Sequence, residues 1–260
     1  MSRGRLVCHC LLIEGPSGLI LVDTGIGQHD IDRPARLGPS LALLAPRLDP
    51  AETALSQVRA LGFAPEDVRD IVLTHLDLDH AGALADFPWA TVHLLDREYQ
   101  AVTAPSLQEQ LRYRREQWAH GPAWYPHRVR SEGGGWFGLT CVRELDRLPP
   151  EILLVPLTGH TRGHAGVAVD TGAQGWLLHA GDAYFSHFEL DPHAAGEARV
   201  LRGFAATMAF DNRLRRASRE LLRGLSSRHG REVRIFCAHD PEEFESLRAA
   251  APAAEASVSA

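Results

Sequence analysis

The stretch IVLTHLDLDHAGAL, residues 71–84, sets two imidazoles and two carboxylates within six positions: His75, Asp77, Asp79 and His80. An apolar run, Ile71-Val72-Leu73, leads straight into this polarity, and Ala-Gly-Ala-Leu follows it. Imidazole nitrogens and carboxylate oxygens are donors that proteins offer to divalent cations. More donors recur downstream, each where a strand-like run ends. They are His160 and His164 in PLTGHTRGH, Asp182 in GWLLHAGDAYF and His239 in VRIFCAHDPEEF. Taken singly, His160 or His239 would read as a packed or surface histidine; the joint pattern carries the metal reading. Two cations about 4 Å apart can share a water, lower its pKa towards neutrality and polarise a carbonyl or phosphoryl oxygen.

The elements that must position these residues are legible around them. LLI and LILV flank EGPSG, whose Pro and Gly mark a hairpin turn. DPAETALSQVRALG reads as a helix with Asp49 as N-cap, Pro50 in first position, Glu52 completing a capping box and Gly62 closing it. IVLT and TVHLL are buried strands, and DREYQAV starts a helix. ILLV, GVAV and GWLLHA are strands, the last two joined by DTGAQG, and VRIFC closes the set. DNRLRRASRELLRGL is an amphipathic helix on which Arg213, Arg215, Arg216, Arg219 and Arg223 read as a solvated face. Residues 104–147 interrupt this order with Tyr113, Trp118, Trp124, Tyr125, Trp136 and Phe137. Two readings stand side by side there: a lid over a site, or aromatic cover for the core. Residues 1–248 read as one domain carrying this insertion, and 249–260, AAAPAAEASVSA, as a disordered tail.

A net charge of -6 gives no general electrostatic reason to bind nucleic acid or an anionic membrane. No run approaches the ~18 apolar residues of a membrane span, and the N-terminus has no small-residue cleavage site. A cytoplasmic protein acting on a small-molecule substrate is expected; oligomeric state leaves no signature. Four cysteines, Cys8, Cys10, Cys141 and Cys237, are too few for a disulfide framework. In CHC, Cys8 and Cys10 share one face of a strand. Without a second pair to complete a structural zinc site, they read as packed strand residues.

The ordered set THLDLDH, TGHTRGH, HAGDAYF and FCAHD, preceded by LILVDTG, resembles the metallo-β-lactamase fold superfamily of metal-dependent hydrolases. The resemblance runs from about Cys10 to His239. It implies an α/β, four-layer αββα sandwich: two mixed sheets face to face, helices outside, metals at one edge. It implies one metal held by His75, Asp77 and His160, another by Asp79, His80 and His239, and Asp182 bridging both. Asp23 and His164 would support these ligands, and Asp79 is carried over as catalytic too. Tyr184 is the candidate donor to a developing oxyanion, or else a pocket wall. The cofactors implied are two divalent ions, zinc first; Asp77, a harder ligand than imidazole, opens the site to manganese or iron. The function implied is hydrolysis, by a metal-bridging hydroxide, of a small ester, lactone, thioester, phosphoester or amide. Two alternatives stand beside it. One is a mononuclear iron dioxygenase resembling persulfide dioxygenases, with His75, His160 and Asp182 around the iron; the other is a non-catalytic ligand-binding protein. The sequence departs from the commoner pattern twice. Asp77 replaces a histidine, which would leave the site one charge less positive, and Phe185 stands where the lactonase branch carries a tyrosine.

Overall fold

The structure, a computed structural model, describes residues 5–129, 135–142, 145–191, 193–194 and 199–250. Strands β1 (Leu11–Gly15) and β2 (Gly18–Val22) form the expected hairpin around Pro16 and Ser17. Strands β3 (Val68–Val72), β4 (Thr91–Leu95) and β5 (Ala123–His127) extend it in parallel, giving a five-stranded sheet in chain order. The second sheet joins β6 (Ile152–Pro156), β7 (Ala165–Asp170) and β8 (Trp176–His179) antiparallel, with β9 (Val233–Phe236) parallel to β8. Both sheets are mixed, as expected.

Strands buried on both faces need no polar alternation, which is why they read as apolar runs. On β2, Leu19 and Leu21 point to one core while Ile20 and Val22 point to another. The shared core lies between the sheets: Ile20, Val22, Val72 and Leu95 meet Ile152, Leu154, Val167 and Val169. On the outer face of the first sheet pack α3 (Ala54–Ala60), α4 (Leu78–Ala81) and α5 (Asp96–Thr103), with Val58, Ala81 and Ala101 inward; α1 (Gln28–Asp32), α2 (Ser40–Leu44) and α6 (Leu107–Arg112) complete the helices of this half. Beyond the second sheet run α7 (Arg199–Met208), α8 (Asn212–His229) and α9 (Pro241–Ala250), and Leu222 and Leu225 of α8 pack on Leu153, Leu178 and Val233. The result is a four-layer αββα stack. Among the described residues, no helix is long and apolar enough to cross a membrane.

Three expectations need correcting or dividing. Asp49 does cap, but it caps a 3-10 turn, Pro50–Glu52, by accepting from Ala51 N–H at 3.0 Å. The chain then resets at Thr53, whose hydroxyl accepts from Ser56 N–H at 3.2 Å and starts α3. On α8, Arg215 and Arg219 are buried rather than solvated, because they share a face with Ser218 and Leu222. Arg219 pairs with the fully buried Glu189 at 3.1 Å; breaking such a pair costs about 3–5 kcal/mol. Within 104–147, β5 is the edge strand of the first sheet, and Tyr113 and Trp118 are buried in its outer core, Trp136 in that of the second. Helix α6 stays open, with Leu107 and Leu111 each 73% exposed. Most of the proposed tail, 251–260, lies outside the described residues.

Candidate metal centre

The seven donors that the resemblance implies meet at one edge of the sandwich, delivered by the segments that leave β3, β6, β8 and β9. Asp77 is the N-cap of α4, and Asp79 and His80 lie within it, so the polar cluster is a strand-to-helix turn. Asp182 lies at the centre of the group, and His239 Nε2 stands 3.1 Å from its Oδ1 and 3.2 Å from its Oδ2. Oδ2 lies 3.2 Å from His160 Nε2 and 3.9 Å from His75 Nε2. Asp77 Oδ2 closes that side at 3.3 Å from His75 Nε2 and 3.1 Å from His160 Nε2. Oδ1 lies 3.2 Å from His80 Nε2 and 3.1 Å from His239 Nε2. Asp79 Oδ2 stands 3.6 Å from His239 Nε2 and 3.9 Å from His80 Nε2.

Donors bound at ~2.0–2.1 Å around a tetrahedral ion are about 3.3 Å apart, close to these separations. His75 Nε2, His80 Nε2 and Asp182 Oδ1 are buried and have no hydrogen-bond partner. Leaving each unsatisfied costs about 1–3 kcal/mol. Donor type, spacing and unpaired atoms all fit a metal ion.

The far nitrogens explain the ring orientations. His80 Nδ1 pairs with Asp23 Oδ2 at 2.8 Å, His75 Nδ1 with Thr74 Oγ1 at 2.9 Å, and His239 Nδ1 donates to Val7 O at 2.7 Å. Each bond fixes a tautomer and turns Nε2 inward. Asp23 also accepts from Thr74 N–H and Oγ1–H, at 2.8 and 2.7 Å. Burial would raise its pKa, but His80 outweighs burial and holds it at about 2. His164 Nδ1 donates to Leu157 O at 2.9 Å, and its Nε2 accepts from Asp182 N–H at 2.9 Å, so it fixes the backbone of Asp182. Burial, then His75 and His160, keep it neutral by lowering its pKa well below the usual value. Gly181, before Asp182, has φ +52°, and a Cβ there would stand 2.6 Å from His164 Nε2.

The metallo-beta-lactamase superfamily model matches residues 3–228. The chain belongs to that superfamily. It is 43% identical over 247 residues to the probable metallo-hydrolase Rv2300c of Mycobacterium tuberculosis, covering 94% of this chain and 77% of that protein. It is 28% identical over 244 residues to the N-acyl homoserine lactonase AttM of Rhizobium radiobacter, covering 92% and 84%. Among solved structures, a mutant of Bacillus thuringiensis AiiA with N-decanoyl-L-homoserine at its active site superposes with a TM-score of 0.68. That match is 20% identical and covers 93% of this chain and 84% of that one.

Against the superfamily's pattern, Asp77 does not act alone. Arg112, the last residue of α6, grips it with two nitrogens: Nε donates to Oδ1 at 2.5 Å and Nη2 to Oδ2. The guanidinium also donates to His160 O at 3.2 Å, to Met208 O, and to His160 Nε2 at 2.7 Å. Burial would raise the Asp77 pKa, yet Arg112 holds it well below the carboxylate range. Burial and Arg112 together press His160 down to about 4. Asp77 and Arg112 sum to zero charge, as a neutral histidine would. The expected loss of one positive charge is therefore corrected.

Tyr184 is also corrected. Its ring is fully buried in the outer core of the second sheet and its hydroxyl donates to Glu243 at 2.8 Å, so it is committed elsewhere and not presented to the ligands. Phe185 is the neighbour that reaches the site: its ring stacks on His239 at 5.2 Å and lies edge-on to His160 at 5.9 Å.

Three residues were missed by sequence reasoning. Arg112 is one. Glu98 is another, a buried carboxylate accepting from Leu76 N–H (3.0 Å), Gly163 N–H (2.8 Å), Thr161 Oγ1–H (2.7 Å) and Tyr113 O–H (2.9 Å). It ties the turn bearing His75 to the turn bearing His160. Gly163 makes this approach feasible, since a Cβ there would fall 2.1 Å from Glu98 N. The third is Cys8, expected as a packed strand residue but exposed on the extended segment before β1, with its thiol beside Asp79 and His239. A carboxylate between two ligand-bearing turns has no local sequence signature; the alternation in CHC did carry a signal for Cys8.

Proposed function

We propose that this metal-dependent hydrolase holds two divalent cations and cleaves the ester or lactone bond of a small substrate. His75, Asp77, His160 and Asp182 would hold the first, and Asp79, His80, Asp182 and His239 the second. The observation that carries this reading is Asp182, whose carboxylate lies 3.1–3.9 Å from four imidazoles: Oδ1 faces His80, Oδ2 faces His160 and His75, and His239 stands near both oxygens. The imidazole-rich set suits zinc, and the Asp77 carboxylate admits manganese or iron at the first position. When bound, such a pair supplies an acidified water and polarises the carbonyl oxygen.

The chain's own groups do the rest. Asp23, Thr74 and Val7 O hold three imidazoles with Nε2 facing inward, while Glu98 locks the two ligand-bearing turns together. Asp79, at 19% side-chain exposure against 12% for Asp77 and 4% for Asp182, is the most open carboxylate of the set. It is placed to take a proton and return it to the leaving oxygen. The similarity to AttM, named as an N-acyl homoserine lactonase, supports an acyl C–O bond as the target.

The test is a metal count on protein purified without added metal, with turnover measured on a panel of esters and lactones. Two cations per chain and hydrolysis that a chelator stops and zinc restores are expected. One iron per chain with oxygen uptake would overturn the reading.

A further inference from the structure

Cys8 lies on the extended segment that precedes β1. There Val7 N–H donates to His239 O at 3.3 Å and His9 N–H to Ala238 O at 2.9 Å. The pairing packs His9 against Phe236 and Phe244, with ring centroids 4.7 and 5.0 Å away. Alternation along an extended chain then sends Cys8 the other way, towards the ligand cluster. Its sulfur, a carboxylate oxygen of Asp79 and a ring nitrogen of His239 lie within 4.8 Å of one another. His239 belongs equally to the group it forms with His80 and Asp182. In that group His80 Nε2 and Asp182 Oδ1 are buried without a hydrogen-bond partner. The thiol thus borders a place where buried donors already lack a counterpart.

We propose that Cys8 Sγ is a further ligand of the second cation, joining Asp79, His80, Asp182 and His239. This rests on the two-cation reading above. A zinc–sulfur bond of ~2.3 Å is longer than the ~2.0–2.1 Å of zinc–nitrogen, so sulfur sits farther from its fellow donors than they do from each other. Ligation releases the thiol proton to solvent and leaves a thiolate on the ion. The consequence is an uneven pair. A soft sulfur selects zinc at the second position, while the Asp77 carboxylate makes the first position the harder one. Any manganese or iron belongs at the first. Cys10 shares the strand face, yet its sulfur belongs to none of the ligand groups among the described residues. It is the natural control.

The experiment loads reduced, metal-free protein with cobalt(II) and reads the near-ultraviolet thiolate-to-cobalt charge-transfer band alongside the cobalt count. Two cobalt ions per chain are expected, with a band that Cys8→Ser abolishes and Cys10→Ser keeps. Cys8→Ser should also weaken the second cobalt by on the order of tenfold, as loss of supporting contacts at metal sites does. Two cobalt ions without a band, or a band that survives Cys8→Ser, would overturn the Cys8 assignment and leave the two-cation reading intact. A single cobalt per wild-type chain would sink the two-cation reading, and with it Cys8 as ligand to a second ion.

Discussion

On the Asp77 side of Asp182 the donors are two imidazoles and a carboxylate clamped by Arg112. On the Asp79 side they are two imidazoles and a more open carboxylate, with the Cys8 sulfur beside them. The imidazoles are alike and their proton affinities are not. Burial and Arg112 hold His160 at about 4, so it is neutral at pH 7. Burial would also lower His239, but the Asp182 carboxylate overrides it and lifts it to about 9. His80 is raised too, against its burial, by Asp182, Asp79 and Asp23. Arg112 on one side and the Asp182, Asp79 and Asp23 carboxylates on the other thus set His160 and His239 apart in proton affinity.

The harshest way to break the comparison is to remove the residue both halves share. Asp182→Ala takes an oxygen from each position, and kcat/KM should fall by about 10³-fold or more, with at least one cation lost by elemental analysis. A variant with both cations and wild-type turnover would take Asp182 out of the site.

Next in size is the Arg112 clamp. Asp77→His alone leaves a buried guanidinium without its carboxylate, a change worth about 3–5 kcal/mol, so the first cation should be lost. Asp77→His with Arg112→Leu removes both charges and should bring that cation back. Metal counts on the two single variants and the double complete the cycle. Failure of the double variant to recover would show that Arg112 does not balance Asp77.

Proton release sharpens the contrast further. At pH 7 the cation-free protein carries a proton on His239 and none on His160. Binding at the second position should release protons and weaken about tenfold for each pH unit, per proton, below about 9. His160, already neutral, should release no proton when the first position fills. Calorimetry in buffers of different ionisation enthalpy reads both, and equal release from both positions would erase the distinction.

The smallest effect lies behind the second half. Glu243 accepts from Tyr184 O–H and Cys237 N–H, and burial raises its pKa from 4.5 to about 7. A raised carboxyl pKa contributes stability that is full below about 4.5 and is lost as pH rises through about 7. Glu243→Gln has no such titration. Its Tm relative to wild type should climb from pH 5 to pH 8 by the equivalent of about 2–3 kcal/mol, with cation content unchanged.

The cluster of candidate donors could be read from sequence because strand ends show as apolar runs breaking into polarity, and the resemblance to the superfamily grouped them. Their helpers could not. Arg112 ends a short helix whose other residues look like surface, and Glu98 sits in DREYQAV, where nothing marks it as buried. Arg215 and Arg219 were misread for a related reason: charge suggests solvent, although their spacing with Ser218 and Leu222 places them inward. Cys8 and Cys10 were placed on one strand face, but the partners of Cys8 come from residues 79 and 239, beyond any local pattern.

The pairing of residues 7–9 with 238–239 also sets a timetable. A chain emerging from the ribosome exposes His75, Asp77, His160 and Asp182 well before residue 239 appears, so the first cation position can assemble while synthesis continues. The second position waits for a contact spanning 232 residues, between Val7 O and the His239 ring. On the two-cation reading, a nascent chain completes the donors of the first position before those of the second.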